Sequence, residues 1–250
     1  MDTRRIPSLL FAALFAVSLR AADRNIFAAA SLSEALKEIA RTYEPASGDR
    51  LHFNFDASGT LALQIKNGAP ADVFFSADEA KLETLAQVGL IVADTRRSLL
   101  SNTLVIVVSA DAGAIISVPA DLAKPAIRRI ALGETQTVPA GIYAKEYLQK
   151  AGLWGTLADK VIPTANVRAC LAAVESGNAE AGIVYETDAR ISKKVKVAYE
   201  ISPAEVPKIS YPLAVVKESK QPEKARAFVT FLASPEARSI FARYGFLPAR

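Results

Sequence analysis

Residues 25–43 read NIFAAASLSEALKEIARTY, and this stretch decides the fold class. Its first five residues are apolar after Asn25, which predicts a short buried strand at 25–29. The residues that follow place apolar side chains on one face of a helix: Leu32, Leu36, Ile39 and Tyr43. A buried strand that leads directly into an amphipathic helix is typical of α/β proteins.

The same alternation continues to the end of the chain. We predict further strands at residues 51–55, 72–76, 103–109, 129–132, 181–185, 196–201 and 211–216. We predict helices at residues 31–43, 58–66, 79–88, 139–150, 167–176, 222–232 and 235–244. This order favours parallel sheets covered by helices on both faces. The strands at 103–109 and 211–216 are long and β-branched, and we expect the chain to cross there between two lobes.

The composition is that of a globular protein, and it excludes two kinds of structural site. The chain has 250 residues, of which 51% are hydrophobic and 22% are charged, as in ordinary globular proteins. A chain of this length buries roughly 70–75% of its unfolded surface and needs no covalent staple. Its single cysteine excludes an internal disulfide, and its single histidine excludes a His-rich metal site.

The N-terminus has the pattern of a secretory signal peptide. Arg4 and Arg5 precede residues 6–19, which are apolar apart from two serines. This run is shorter than the about 20 residues that span a bilayer. A first core helix is the alternative, but we predict that residues 1–22 are removed and that the protein is exported to the periplasm. No cysteine follows this region closely, so we expect no lipid anchor.

Charge gives little indication of a partner. Residues 1–22 carry three Arg and one Asp, so 27 basic and 25 acidic residues remain after them. The dense basic cluster of Lys193, Lys194 and Lys196 has no aromatic residue interleaved with it. Nucleic-acid-binding proteins carry a basic stripe, so we expect no nucleic-acid partner.

The residue combinations of common enzymes are missing. His52 lies on the polar side of a predicted strand, and a hydrolase that used Ser58 as nucleophile would have to recruit it. Cys170 lies among apolar residues of a predicted helix, where a buried and unreactive thiol is expected. Asp72 and Asp78 flank a short strand as turn and cap residues. We therefore expect a protein that is not an enzyme.

Two serines at predicted helix starts are candidate binding residues. Ser31 is followed three residues later by Glu34, which is the spacing of a capping box. Ser58 comes between a predicted strand and a predicted helix, in the position of an N-cap. Each helix start offers unpaired N–H groups and the positive end of the helix dipole.

Two more helix starts have the same character. Pro139 fits the first turn of a helix, which leaves the amide of Ala140 unpaired. Asn166 can cap the helix that begins at Val167. Several such starts around one cleft would bind an anion without Lys or Arg. Spacing along the chain cannot show whether they meet, so any one of them can be purely structural.

Seven strings, in order along the chain, resemble the periplasmic molybdate-binding protein family, the solute-binding partners of ABC transporters. They are AASL at 29–32, ASGTL at 57–61, GAPADVF at 68–74, VPAGIY at 138–143, NVR at 166–168, AGIVY at 181–185 and RYGF at 243–246. Single strings are weak, but the ordered set covers essentially the whole chain after residue 22.

The resemblance implies a two-lobed periplasmic binding protein fold of type II. Each lobe would be a mainly parallel sheet flanked by helices, with two crossing strands at the hinge. In this chain the lobes would comprise residues 23–102 plus 212–250 and residues 103–211. The family binds its oxyanion through neutral donors alone, without contact to the metal atom and without a cofactor. The matching positions here are Ser31, Ser58, Ala140, Val167 and Tyr185.

The end of the predicted strand at 181–185 supports one of these positions independently. Ligands of open α/β sheets bind at the carboxyl ends of strands, and Tyr185 is the last residue of this one. Glu186 follows it directly, and strand alternation directs its carboxylate to the opposite face. A carboxylate inside the cleft would repel a dianion and would count against the site.

The expected function is therefore the capture of molybdate, and of tungstate, for delivery to the membrane permease of an ABC transporter by a monomer. Another oxyanion, such as sulfate or thiosulfate, is the alternative within this class. A ferric site would need clustered tyrosines, and only Tyr143 and Tyr147 lie one helical turn apart. The effector domain of a transcription regulator is a further alternative, but the chain has no helix-turn-helix segment.

Overall fold

The computed structural model describes residues 23–111 and 116–249, so the predicted signal peptide at 1–22 lies outside the described residues. The described strands are β1 (Asp23–Ala29), β2 (Arg50–Asp56), β3 (Val73–Phe75), β4 (Arg97–Ser101), β5 (Leu104–Ser109), β6 (Ile130–Gly133), β7 (Val161–Thr164), β8 (Ala181–Tyr185), β9 (Val195–Glu200), β10 (Tyr211–Val215) and β11 (Leu247–Pro248). The described helices are α1 (Ser33–Ser47), α2 (Ser58–Lys66), α3 (Glu79–Gln87), α4 (Pro139–Lys150), α5 (Trp154–Leu157), α6 (Val167–Glu175), α7 (Glu186–Arg190), α8 (Pro222–Leu232) and α9 (Pro235–Arg243).

The strands form two sheets, each flanked by helices. The first sheet has the order β11-β4-β10-β3-β1-β2, and the second has the order β7-β6-β8-β5-β9. We call the first sheet with its helices lobe 1 and the second lobe 2. The chain passes between them at Asn102 and Thr103, and again at residues 201–210. The two predicted crossing strands, β5 and β10, each follow one of these passages directly.

Both sheets are mixed. In lobe 1, β1 is parallel to β2 and β3, and in lobe 2, β6 is parallel to β7 and β8. The strands that follow the crossings are antiparallel to their neighbours: β10 to β3 and β4, and β5 to β8 and β9. The prediction of mainly parallel sheets therefore holds for the strands joined through helices, because only those connections require parallel pairing.

All predicted strands and helices are present with the predicted type, with small shifts at their ends. The sequence prediction missed β4, β7 and β11 and the short helices α5 and α7. The strands β7 and β11 lie at sheet edges, and Pro163 and Pro248 stand within them. These two edge strands are only four and two residues long and lack a clean apolar alternation, which explains why the pattern did not reveal them.

The described helices are short. The longest, α1, has 15 residues. Among residues 23–111 and 116–249, no helix is long and apolar enough to cross a membrane.

Candidate functional site

A small cavity lies between the two lobes. Lobe 1 lines it with Ala29, Ala30, Ser31, Asp56, Ala57, Ser58 and Ala77, and lobe 2 with Val138, Pro139, Ala140, Asn166, Val167 and Tyr185. The five residues predicted from the sequence are all in this lining. The centre of a water-sized sphere can reach about 10 Å³ of this cavity, close to the volume that holds one water molecule by the same measure, so only a small ion could occupy it.

Three helices begin at the cavity. Ser58 is the first residue of α2, Ala140 is the second residue of α4, and Val167 is the first residue of α6. The leading N–H groups of a helix have no acceptor within it, and the helix dipole is positive at that end. The lining contains no Lys or Arg. Backbone amides at positive helix ends therefore face the cavity from both lobes.

The predicted capping box at Ser31 and Glu34 is wrong. A turn of 3-10 helix, Ala30–Leu32, separates β1 from α1, so the α-helix begins two residues later, at Ser33. The hydroxyl of Ser33 donates to Glu34 Oε2 at 2.7 Å. The Ser31 Oγ lies instead 3.1 Å from the hydroxyl of Tyr211 and has no helix amide as partner.

Ser58 also differs from its predicted role. It is the first helical residue and not the N-cap, which is Ala57. Its side chain is fully buried, and its Oγ accepts the N–H of Ala77 at 2.9 Å. Because that N–H occupies a lone pair, the hydroxyl proton of Ser58 remains available to the cavity.

The structure confirms the other two helix starts. Pro139 is the first residue of α4, and Asn166 caps α6 by accepting the N–H of Ala169 at 3.0 Å. The amide nitrogen of Asn166 donates across the lobes to Asp56 Oδ1 at 3.0 Å. The same carboxylate oxygen accepts the N–H of Ala57 at 2.8 Å.

Asp56 was not among the candidates from the sequence. It ends β2, two residues before Ser58, and it places a carboxylate in the lining. Two N–H donors partly balance the charge on Oδ1. The signal available in the sequence was its position at the carboxyl end of a strand, where ligands of such folds bind.

Tyr185 ends β8 as predicted and is 1% exposed. Its hydroxyl is buried without a hydrogen-bond partner among the described residues, although it borders the cavity. Burial raises the pKa of Tyr185 well above its usual value, so the phenol keeps its proton. A buried donor without a partner is costly, and an anion in the cavity would satisfy it.

Glu186 faces away from the cavity. Its Oε2 accepts the hydroxyl of Thr103 at 3.0 Å, and its Oε1 accepts Nε of Arg190 at 3.0 Å. It is not part of the cavity lining. The electrostatic objection raised by its sequence position therefore does not apply.

A charged cluster joins the lobes beside the cavity. Arg168 on α6 pairs with Glu34 on α1, and its Nε lies 3.1 Å from Asp188 Oδ1. Arg168 also donates to the backbone oxygens of Ala30 and Ser31 at 3.3 and 3.4 Å. Burial raises the pKa of Asp188 to about 6. The cluster holds the segment that carries Ser31 against lobe 2.

Hydrogen bonds between uncharged groups also join the two lobes. The N–H of Gly59 donates to the backbone oxygen of Thr137 at 3.1 Å, and the Tyr143 hydroxyl donates to the backbone oxygen of Ala77 at 3.3 Å. A Cβ built on Gly59 would lie 2.4 Å from that Thr137 oxygen. This is the geometry of a closed pair of lobes, and it requires glycine at position 59.

The residues set aside as enzyme candidates lie elsewhere. His52 is half exposed on β2 and binds Asp23 Oδ1 at 2.9 Å. Cys170 is buried, its thiol donates to the backbone oxygen of Ala131 at 3.1 Å, and burial raises its pKa. Within the described ranges, no group of three or more His, Cys, Asp and Glu side chains could hold a metal ion.

Known proteins are similar to this chain in sequence and in fold. The chain is 41% identical over 226 residues to the molybdate-binding protein ModA of Escherichia coli (strain K12), covering 89% of this chain and 88% of that protein. A solved structure from Clostridium difficile, assigned as the substrate-binding domain of a molybdenum ABC transporter, is 38% identical with a TM-score of 0.70 and covers 92% of this chain and 100% of its own. The periplasmic molybdate-binding protein of Azotobacter vinelandii is 23% identical, covers 91% of this chain and 100% of its own, and shares the two-lobed fold with a TM-score of 0.82. Residues 25–247 match the family described as bacterial extracellular solute-binding protein, and the chain therefore belongs to that family.

Proposed function

We propose that this protein captures molybdate in the interlobe cavity and delivers it to the permease of an ABC transporter. The observation that carries the proposal is the convergence of three helix N-termini and three hydroxyl groups on a cavity that no Lys or Arg lines. Such a site stabilises an anion through oriented dipoles. The molybdate-binding relative from Escherichia coli, at 41% identity, supports molybdate as that anion.

The finer parts of the proposal rest on the sequence pattern. Tungstate would be taken up as well, because it has the charge and nearly the size of molybdate. A signal peptide at residues 1–22 would export the chain, which would work in the periplasm as a monomer without catalytic activity. The lobes would comprise residues 23–102 plus 212–250 and residues 103–211.

The proposed ligand contacts come from both lobes. Ser31 and Ser58 would donate their hydroxyl protons from lobe 1, and Tyr185 would donate its phenol proton from lobe 2. Ala140 and Val167 would donate backbone N–H groups from lobe 2. All of these bonds go to the oxygens of the oxyanion, and none goes to the metal atom. Because the donors lie on two lobes, binding would draw the lobes together, and the permease would recognise the closed form.

A thermal-shift and calorimetry series over four anions tests the proposal. We expect molybdate and tungstate to bind alike. Sulfate should bind more weakly because its shorter bonds cannot reach every donor. Hydrogen phosphate should also bind more weakly because its proton meets mainly donors. At 100 times its dissociation constant, molybdate should stabilise the fold by about 2.7 kcal/mol.

Sulfate binding as tightly as molybdate would move the protein to the alternative within its class. Tight binding of hydrogen phosphate would point to Asp56, the carboxylate of the lining, as the acceptor of its proton. An Asp56→Asn variant separates these results, because it removes the acceptor and keeps the size of the side chain.

Tyr185→Phe should weaken molybdate binding by about 10- to 100-fold, because it deletes one hydrogen bond to a charged acceptor. The fold should not suffer, since this hydroxyl has no partner in the ligand-free protein among the described residues. Calorimetry measures the affinity, and Tyr147→Phe is the matched control, a buried tyrosine of lobe 2 outside the cavity lining. A loss below twofold in Tyr185→Phe would remove this residue from the site.

A further inference from the structure

Two buried polar residues outside the cavity lining are linked to the hydroxyl of Ser31 by hydrogen bonds. Tyr211, at the start of β10, is fully buried, and its hydroxyl lies 3.1 Å from Ser31 Oγ. Asn102, at the passage between the lobes, is 5% exposed, and its Nδ2 donates to the same Tyr211 hydroxyl at 3.1 Å. Neither residue lines the cavity, and Tyr211 reaches the lining in two ways: through its hydrogen bond to Ser31 and through the ring of Tyr185, whose centroid lies 5.8 Å from its own.

The orientation of the Asn102 amide is fixed by its neighbours. The backbone N–H of Thr103 donates to Asn102 Oδ1 at 2.9 Å, and an N–H can only donate, so the atom that faces it is the carbonyl oxygen. The amide nitrogen therefore lies on the other side with its two protons. One goes to Thr187 Oγ1 at 2.9 Å and the other to the hydroxyl of Tyr211.

This orientation determines where the Tyr211 proton goes. A phenol has one proton to donate. The Tyr211 oxygen accepts from Asn102, and its two hydroxyl neighbours are those of Ser31 and Tyr185. We assign its proton to Ser31 Oγ, because the Tyr185 hydroxyl has no partner within hydrogen-bond geometry among the described residues. Burial raises the pKa of Tyr211, which keeps that proton in place. Ser31 Oγ then acts as acceptor toward Tyr211, and the Ser31 proton is left to donate into the cavity that Ser31 lines.

The second serine is held in the same sense by different means. The Ser58 Oγ accepts the N–H of Ala77 at 2.9 Å, so the Ser58 proton is also left for the cavity. Each of the two hydroxyls thus has one lone pair occupied by a buried donor, Ser58 by a backbone amide and Ser31 by the Asn102–Tyr211 pair. Either could accept a proton from a ligand only through its second lone pair, and its own proton would then turn away from the cavity, where the hydrogen bonds of the described residues offer it no acceptor.

We infer that Tyr211 and Asn102 are positioning residues that set the anion selectivity of the cavity. By fixing Ser31 as a donor, they favour an oxyanion without protons and disfavour one that must donate a proton. The inference rests on the proposed function, because it requires an oxyanion in the cavity. The favoured ligand class is the fully deprotonated tetrahedral dianion.

Two variants change the direction of the hydrogen bonds between Asn102, Tyr211 and Ser31. Tyr211→Phe removes the donor to Ser31 and frees the lone pair of Ser31 to accept a proton from a ligand. Asn102→Asp replaces the amide donor with a carboxylate, which accepts the Tyr211 proton. Ser31 must then donate to Tyr211, and it presents a lone pair to the cavity.

The readout is the ratio of sulfate affinity to hydrogen phosphate affinity, measured for each protein by competition against molybdate at one mildly alkaline pH. These two dianions are similar in size and differ by one proton, so size and charge effects of a substitution cancel in the ratio. Asp56 is present in every protein and cancels as well. Both variants should lower the ratio by about 10-fold, the size of one hydrogen bond to a charged group.

Tyr43→Phe is the matched control, because it removes a buried phenol hydroxyl of lobe 1 that is not part of the cavity lining, and its ratio should equal that of the unmodified protein. A ratio within twofold of the unmodified protein in both variants would overturn the inference. If Tyr211→Phe does not fold, Asn102→Asp alone decides in the same way. An unmodified protein that binds no molybdate would instead overturn the proposed function, and the inference with it.

Discussion

Ser58→Asp should abolish molybdate binding while leaving the fold intact. The side chain of Ser58 is fully buried at the N-terminus of α2 and borders the cavity. A carboxylate there would face a dianion in a site with little screening water, and like-charge contacts cost several kcal/mol. We expect a loss of at least about 100-fold in affinity, measured by calorimetry.

The fold should tolerate this change. A carboxylate in the first turn of a helix interacts favourably with the helix dipole, and it can accept the N–H of Ala77 in place of the hydroxyl. Ser58→Asn is the control, since it has nearly the same size and shape as Asp without the charge. If both variants bind molybdate as tightly as the unmodified protein, the cavity is not the anion site, and if both lose the same affinity, the size of the side chain and not its charge is the cause.

Gly59→Ala should weaken binding by at least about 10-fold, because it keeps the lobes apart. The new Cβ would meet the Thr137 oxygen at 2.4 Å and the Thr137 Cα at 3.0 Å, and both are backbone atoms of the opposite lobe. The lobes would have to separate, and the donors of Ala140 and Val167 would move away from Ser31 and Ser58. Hydrogen bonds weaken steeply with such changes in distance and angle.

The same variant should not lose stability without ligand. Alanine is up to about 1 kcal/mol more favourable than glycine within a helix, and an open arrangement of the lobes removes the clash. Higher or equal thermal stability together with weaker molybdate binding is the expected result. Gly155→Ala is the control, because nothing lies within 4 Å of its Cβ. Unchanged molybdate affinity in Gly59→Ala would contradict closure of the lobes around the ligand.

Local sequence determined most of the secondary structure. Helices α4 and α8 begin and end where the pattern placed them, since each carries a proline in its first turn and a clear apolar face. The start of α1 was misplaced, because nothing in the residues around Ser31 distinguishes a turn of 3-10 helix from the first turn of an α-helix. Edge strand β7 was missed, since its side chains are only partly buried and follow no alternation.

The candidate donors of the cavity could also be predicted from the sequence. Pro139 and Asn166 predict helix starts, because a first-turn proline and an N-cap side chain act within one helical turn. The unpaired amides of Ala140 and Val167 follow from these helix starts. The resemblance to molybdate-binding proteins added Tyr185. The sequence alone therefore determined which groups can donate, but it left open whether they meet.

Only the tertiary structure decided that these groups share one cavity and which neighbours they bond to. The bond between Ser31 and Tyr211 joins residues 180 positions apart, and the bond between Asp56 and Asn166 joins residues 110 positions apart. No periodicity reaches across such separations, because helix and strand patterns report the burial of one face and not the partner that covers it. The direction of each hydrogen bond depends on every neighbour of both atoms at once, and those neighbours are set by the packing of two lobes.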